Sequence, residues 1–419
     1  MSKPDSPAPS TAGRPAIATA PLSPQPASGA PAFELSAEQA ATLDLADRFG
    51  RAELAPLAKR MDDDEWWPED LWPRLGKAGL LGVTIPEAEG GPGLDVFSSA
   101  LILQAFARWN PAVALSWLAH ENLCLNNILR NGDADQRRRY LPGLADGTLI
   151  GALALTEPGA GSDALGSMTT AARREGDDYL LRGRKIFITN GPVADVILVY
   201  AKTAPERGAK GISAFLVERD FPGFQVAQKL EKMGCRGSPT GELVFDDCRV
   251  PARCRMGPEN AGVAILMSGL DLERAVSAAI SIGAAERMLE LSLAHARERR
   301  QFGRPLGEFQ MIQAKLADMY VGIESMKGLA YKALAAVNDL EQGAGGRGEV
   351  HKLAAAALLH AGEACSRIAS DAVQIHGGSG YMWEMEVNRL YRATKLIEIG
   401  AGTSEVRRLI IAEELLRGA

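Results

Sequence analysis

The spacing of apolar residues changes twice along this chain. From Ser36, apolar positions in SAEQAATLDLADRFGRAELAPLAKR recur three and four residues apart, and Ser36 with Gln39 matches a capping box, so a helix is predicted to begin there. Helical spacing continues through Phe97 to Trp109 and Pro111 to Leu129 as far as about residue 146, broken by the turn-rich Pro86 to Leu94. Between about 148 and 256 the period falls to two. TTAARREGDDYLLRGRKIFITNG, DVILVYAK, ISAFLVERD and GELVFDDCRV read as strands separated by Gly, Pro and Asp turns, and predict an antiparallel β domain. Long helical stretches return over 261–300, 308–341, 349–375 and 403–417 and predict a helix bundle.

Helices, then grouped strands, then helices argue for an α+β chain and against alternating βαβ units. The expected divisions are a tail over 1–33, a helical domain over 34–147, a β domain over 148–257 and a bundle over 258–419. That order also removes a dinucleotide-binding reading of two glycine patterns. Gly343 to Gly348 is a literal GxGxxG and Gly159 to Ala164 a near one, yet neither joins a strand to a helix in a βαβ unit. The acidic run Asp62 to Glu65 reads as a solvated connection.

Composition narrows the partners. A chain of 419 residues, 46% hydrophobic and 23% charged, can build two or three ordinary cores. A formal charge of −6 argues against nucleic acid, because binding a phosphate backbone draws on clustered Lys and Arg. No uncharged apolar run approaches the roughly 18 to 20 residues that cross a bilayer. The five scattered cysteines, Cys124, Cys235, Cys248, Cys254 and Cys365, make no disulfide framework and point to a reducing compartment. No metal is expected, since Cys248 and Cys254 lack the further ligands a zinc site needs. Residues 1–33 are mostly Pro, Ala, Ser, Thr and Gly and read as a disordered tail. With one Lys and one Arg they lack transit-peptide character, so a prokaryotic cytoplasm is the expected location.

Five segments carry candidate chemistry. Leu153 to Asp163 (LALTEPGAGSD) offers the Thr156 and Ser162 hydroxyls beside Gly159 and Gly161, which permit close approach of a ligand, although a plain surface turn explains it equally well. Lys185 to Pro192 is an apolar strand ending in Thr189 and a turn, and Arg299 to Gln310 closes one long helix and opens the next. Val373 to Tyr381 holds a Gln-Ile-His-Gly-Gly loop. In Glu398 to Arg408, Thr403 or Ser404 can cap the last helix, whose positive end can meet an anion or an electron-rich ring.

Together, in this order and spacing over about residues 36 to 417, these segments resemble the acyl-CoA dehydrogenase family of flavoproteins. The resemblance implies an N-terminal helical domain, a middle β domain and a C-terminal four-helix bundle, assembled as a homotetramer with FAD. It implies that Leu155, Thr156, Gly161, Ser162, Phe187, Ile188 and Thr189 line the flavin. Arg299, Gln310, Gln374, Ile375, His376, Gly377 and Gly378 would reach a neighbour's FAD across a subunit interface, where Arg299 suits a phosphate. Thr403, Ser404 and Glu405 would complete the flavin and ribose contacts.

Most members of the family carry a catalytic glutamate directly before the Gly-Thr-Ser of the last motif, where this chain has Ala401. The isovaleryl-CoA dehydrogenase branch instead keeps its base in a Leu-Asp-Leu-Glu-Arg stretch, here Leu270 to Arg274, and its Ile-Gly-Ala-Gly-Thr-Ser-Glu-Val-Arg-Arg is identical to Ile399 through Arg408. The matching base is Glu273. Removing an α-proton while a β-hydride leaves for flavin N5 requires a base held against one face of the thioester, and a buried glutamate suits that task. Ser162, Asp271, Arg274, Gly400, Ala401 and Gly402 are implied to contact the acyl-CoA. The Ala401 N–H would be a donor to the thioester carbonyl, and Gly400 would leave width for a methyl branch. Ala264 stands where that branch tends to have an aromatic residue, which implies a reshaped acyl pocket.

A plainer reading makes Glu273 an exposed partner for a neighbouring arginine. At the level of function, the resemblance favours α,β-dehydrogenation of a short or medium acyl-CoA, straight or β-branched, to the trans-2-enoyl-CoA, with electrons passed to an electron-transfer flavoprotein. An oxygen-using oxidase and a silent acyl-CoA-binding protein are the alternatives. His376 reads as a loop residue near the cofactor, Trp66, Trp67 and Trp72 as packing, and Cys365 as a core residue.

Overall fold

The computed structural model describes residues 34–338 and 346–417. Seven helices come first: α1 (Ala37–Phe49), α2 (Ala55–Asp63), α3 (Leu71–Lys77), α4 (Val96–Trp109), α5 (Pro111–Leu118), α6 (Asn126–Asn131) and α7 (Ala134–Asp146). Ser36 caps α1, its Oγ accepting from the Gln39 N–H at 3.1 Å while Gln39 Oε1 accepts from the Ser36 N–H at 3.0 Å. The helical runs predicted over 36–60 and 111–129 are each interrupted by a π-helical stretch, Gly50–Leu54 and Ala119–Leu125. The second turns two polar side chains inward. Glu121 accepts from the Gly82 and Val83 N–H groups, both at 2.8 Å. His120 Nδ1 accepts from Trp72 Nε1 at 3.1 Å and from the Gly151 N–H at 3.0 Å, tying the helices to the first strand.

Next come β1 (Gly151–Ala154), β2 (Ala171–Glu175), β3 (Asp178–Thr189), β4 (Val196–Lys202), β5 (Ile212–Glu218), β6 (Phe224–Lys229), β7 (Thr240–Pro251) and β8 (Arg255–Met256). They form one sheet in the order β6-β7-β3-β2-β4-β5-β8, with β1 also beside β4. The expectation of a wholly antiparallel domain needs correction: β1 runs parallel to β4, with Gly151–Ala154 facing Val196–Val199, and β2 meets β4 in parallel at Ala171 and Lys202. A parallel neighbour requires a long crossover, and the β2-β3 hairpin lies within it. Strand β4 is buried on both faces, which is why VILVYA reads as a continuous apolar run. Val196, Leu198 and Tyr200 face a core shared with α6, α7 and the start of α8, while Ile197, Val199 and Ala201 face a core inside the β domain.

The chain then forms α8 (Gly262–Glu298), a hairpin of β9 (Arg300–Gln301) and β10 (Arg304–Pro305), α9 (Gln310–Asn338), α10 (Gly348–His376), α11 (Glu386–Thr394) and α12 (Ser404–Arg417). One apolar core joins α1, α4 and α5 to α8, α9, α10 and α11. Helices α4 and α8 cross in backbone contact. A Cβ on Gly283 would stand 2.0 Å from the Gln104 carbonyl oxygen, so glycine is required there.

Helix α11 was not predicted, and it corrects the reading of the acidic run. Asp62 is buried and ion-paired with Arg392 of α11, and Glu65 holds Lys229 and Arg236 at 3.3 and 3.2 Å. Trp67 and Trp72 pack together with ring centroids 4.9 Å apart, and all five cysteines are free and buried. Residues 343–345 of the Gly343 to Gly348 pattern lie outside the described residues, as does the 1–33 tail. Among the described residues no helix is long and apolar enough to cross a membrane.

Candidate active site

Glu273 lies in the fourth turn of α8, next to Arg274, whose side chain reaches the short turn that precedes α12. Its side chain is half-buried and takes part in no hydrogen bond or ion pair among the described residues. Burial raises its carboxyl to about 7, against the opposing pull of the Arg274 and Arg407 charges. The reading of Glu273 as an exposed helix-surface partner of arginine therefore does not describe it. Across from it, Ala401 has φ +55 and Gly402 φ +89, a left-handed pair that turns the chain sharply into α12. Two buried arginines hold this turn by its carbonyls. Arg407 Nη2 donates to the Gly400 oxygen, and Arg274 Nε lies 3.5 Å from the Ala401 oxygen. Thr403, not Ser404, caps α12, its Oγ1 accepting from the Val406 N–H at 3.3 Å. Glu405 is exposed on the first turn.

Asp271 faces away from this turn. It is 1% exposed, and its two oxygens accept from His351 Nδ1 at 2.5 Å and the Gly346 N–H at 2.7 Å. Arg274 stands 3.6 Å from it. The geometry makes Asp271 a buried clamp between α8 and the start of α10.

A second group of candidates forms a shelf on the β domain. The Ile186 N–H donates to the Thr156 carbonyl at 2.9 Å, which brings the loop after β1 against the end of β3. A buried ion pair fixes that contact: Lys185 Nζ, wholly buried, donates to Glu157 Oε1 at 2.9 Å and to the Leu155 carbonyl at 2.9 Å. Glu157 also accepts from the Thr169 and Thr170 N–H groups at 2.7 and 2.9 Å. Burial pushes its carboxyl up, but Lys185 and these donors outweigh it and bring it down to about 2. Beyond Lys185 the strand bulges, and Phe187 takes φ +62 and stands 65% exposed while Ile188 enters the core. Gly161 and Ser162 are exposed, and a Cβ on Gly159 or Gly161 would meet nothing within 4 Å. Leu155 borders the core that contains Tyr200, Ile265 and Leu266, so the shelf and the start of α8 share one apolar wall.

The third group lies elsewhere. Arg299 ends α8, 26 residues beyond Glu273, which places it about 39 Å away along the helix. Around it sit Gln310, opening α9, and Gln374 to Gly378, closing α10. The His295 and His376 rings stack with centroids 4.4 Å apart and bind the ends of α8 and α10 together. Ile375 and His376 are buried, whereas Arg299, Gln310, Gln374, Gly377 and Gly378 are exposed. No single small ligand touches both this end and the Glu273 turn of one chain.

The comparisons with known proteins agree from residue 36 to residue 416. The N-terminal, middle and C-terminal domain models of acyl-CoA dehydrogenase match residues 36–148, 152–248 and 260–416. The chain belongs to the acyl-CoA dehydrogenase family. It is 44% identical over 373 residues to the mitochondrial isovaleryl-CoA dehydrogenase of Arabidopsis thaliana, covering 88% of this chain and 89% of the relative. It is also 44% identical, over 88% of each chain, to the mitochondrial 2-methylacyl-CoA dehydrogenase of Solanum tuberosum. Among solved structures, butyryl-CoA dehydrogenase from Megasphaera elsdenii superposes with a TM-score of 0.88 at 38% identity, covering 92% of this chain and all of the other. The chain is thus an oxidoreductase of a flavoprotein family.

The residues present fit a flavin. Ser404 Oγ is buried at 5% exposure with no partner among the described residues, and the Thr156 and Thr189 hydroxyls make no hydrogen bond there either. The unused Thr156 and Thr189 hydroxyls on the shelf that carries the exposed Phe187 and open glycines suit a flat ring with hydrogen-bonding edges and an apolar face. Arg407, His351, Tyr200 and the Glu157–Lys185 pairing escaped the sequence reading. Arg407 cannot be told from Arg408 by spacing. Lys185 left one signal, a lysine at an inward position of a strand otherwise apolar on that side.

Proposed function

We propose that this chain desaturates a short or medium, branched acyl-CoA between its α and β carbons, with Glu273 as the base and FAD as the cofactor. The observation that carries this reading is the Glu273 carboxylate, free of any partner among the described residues and flanked by two buried arginines, opposite a turn where the family's more common glutamate position holds Ala401. A base needs an unoccupied lone pair at the reacting carbon, and Glu273 has one. FAD, held by Thr156, Ser162, the Phe187–Thr189 strand and Ser404, supplies the acceptor for the β-hydride. Glu273 takes the α-proton. The Ala401 N–H, which has no acceptor among the described residues, donates to the thioester oxygen as negative charge gathers on it. Arg274 and Arg407 keep the turn that carries this donor in place.

Gly400 supports a branched acyl group. A Cβ built there meets only the Leu396 oxygen, at 3.5 Å, so the absence of a side chain leaves space beside the turn. The two relatives at 44% identity are named for isovaleryl and 2-methylacyl groups, both branched. The separation of Arg299 from Glu273 supports an assembly in which each complete site draws on two chains, consistent with a homotetramer. Electrons leave to an electron-transfer flavoprotein. The test is turnover of isovaleryl-CoA, 2-methylbutyryl-CoA and octanoyl-CoA with a dye acceptor, with products identified by mass spectrometry. A product two hydrogens lighter, faster from the branched thioesters and without peroxide in air, is expected. Stoichiometric peroxide would replace the dehydrogenase by an oxidase, and no product from any thioester would leave an acyl-CoA-binding protein.

A further inference from the structure

The two arginines beside Glu273 differ in how their charge is met. Arg274 has Asp271 at 3.6 Å. Arg407 is wholly buried and has no carboxylate in ion-pair contact among the described residues, and its Nε and Nη1 have no hydrogen-bond partner. Only Nη2 is used, and it donates to the Gly400 carbonyl. No peptide bond in the described chain is cis, so the Gly400–Ala401 peptide places its N–H opposite the carbonyl that Arg407 holds. A buried guanidinium does not lose its proton at ordinary pH, so this charge is permanent and needs an anion nearby.

We infer that Arg407 is a positioning residue for the proposed reaction, fixing the Gly400–Ala401 peptide so that its N–H is presented for the thioester oxygen, with its fixed positive charge acting on Glu273. The inference rests on Glu273 being the base. The charged and titratable groups around Glu273 are Arg274 on its own helix, Arg407 on α12 and Tyr200 on β4. Asp271 and His351 are engaged with each other, and Arg130 on α6 faces Tyr200. Of these, Arg407 alone combines contact with the turn and the lack of a carboxylate in ion-pair contact; Glu363 on α10 and Glu398 before the turn act on its charge from further off. When the α-proton moves to Glu273, the C–H electron pair shifts toward the thioester oxygen. Negative charge thereby moves from the carboxylate to the oxygen held by the Ala401 N–H. A cation fixed on the carbonyl side of that peptide acts on the carboxylate before the transfer and, through the peptide dipole, on the oxygen after it.

The test uses FAD-loaded protein, anaerobic flavin reduction by isovaleryl-CoA across pH, and the variants Arg407→Met and Arg407→Lys, with Arg407→Gln as a second neutral variant should the Met protein not fold. Wild type is expected to lose rate below about pH 7, where Glu273 gains its proton. In the neutral variants the limiting rate falls about 10- to 100-fold and the acid limb moves up by about one pH unit. Lys keeps the charge without the fork, so it restores the wild-type limb while the rate stays low. A neutral variant that folds, binds FAD and keeps the wild-type limb overturns the inference whatever its rate, because a merely structural arginine could loosen the turn without moving the titration. A wild-type protein reduced by no thioester overturns the assignment of Glu273 as well.

Discussion

Replacing Glu273 with glutamine separates catalysis from stability with opposite signs. The carboxyl sits at about 7 in the folded chain against an ordinary 4.5, so folding favours its protonated form. A raised acid destabilises the fold as pH climbs past its unfolded value, and the cost is complete above the folded one. At 1.36 kcal/mol per pH unit, wild type carries about 3 kcal/mol of this cost at pH 8.5 and about 1 kcal/mol at pH 5.5. Water entering the cleft of a half-buried side chain lowers both figures. Glutamine fills the same volume without charge, so the variant melts above wild type at pH 8.5, and by less at pH 5.5. Its flavin reduction by isovaleryl-CoA falls on the order of 10²- to 10⁴-fold, because Ala401 leaves no second carboxylate to substitute. The assay pairs stopped-flow reduction at pH 8.5 with thermal melts at both pH values. A variant within tenfold of wild-type rate, or one less stable than wild type at pH 8.5, refutes the reasoning.

Three further outcomes follow from the same structure. Mixed oligomers of Glu273→Gln and Arg299→Ala chains recover activity that neither variant has alone, since one site in each pair then holds an intact Glu273 and an intact Arg299; no recovery on co-expression means both residues serve one chain. Glu157→Gln strands a buried lysine and lowers unfolding free energy by about 3–5 kcal/mol in urea titration, with loss of bound FAD, whereas a loss under 1 kcal/mol would show that water already reaches Lys185. Gly283→Ala pushes α8 off the Gln104 carbonyl and costs about 1–3 kcal/mol by the same titration, and an unchanged midpoint would show that the α4–α8 crossing can slide.

The helices with a clean three-and-four period and the twice-buried strands β4 and β5 were legible, because a long run of apolar positions on one period has few alternative placements. Helix α11 was not. Its buried Val387, Leu390, Ala393 and Thr394 span barely two turns among charged residues, and its role in pairing Arg392 with Asp62 depends on a contact 330 positions away. The parallel placement of β1 escapes for a related reason, since four residues of GALA carry no directional signal and the direction shows only in the pairing with β4. For the site, the resemblance of local motifs to the acyl-CoA dehydrogenase family implies Glu273 and the Gly400–Ser404 turn. They say nothing of what surrounds a side chain, so the hold of Asp271 on His351 and Gly346 is visible only in the fold. Arg407 and Lys185 had to wait for the fold, because a buried charge is recognisable only once its burial is known.

The most direct test of the account is one anaerobic titration of the purified, FAD-loaded protein with isovaleryl-CoA, 2-methylbutyryl-CoA and octanoyl-CoA, followed by the flavin absorbance. The account predicts bleaching by near-stoichiometric branched thioester, with octanoyl-CoA slower. A yellow protein that none of the three bleaches would contradict it.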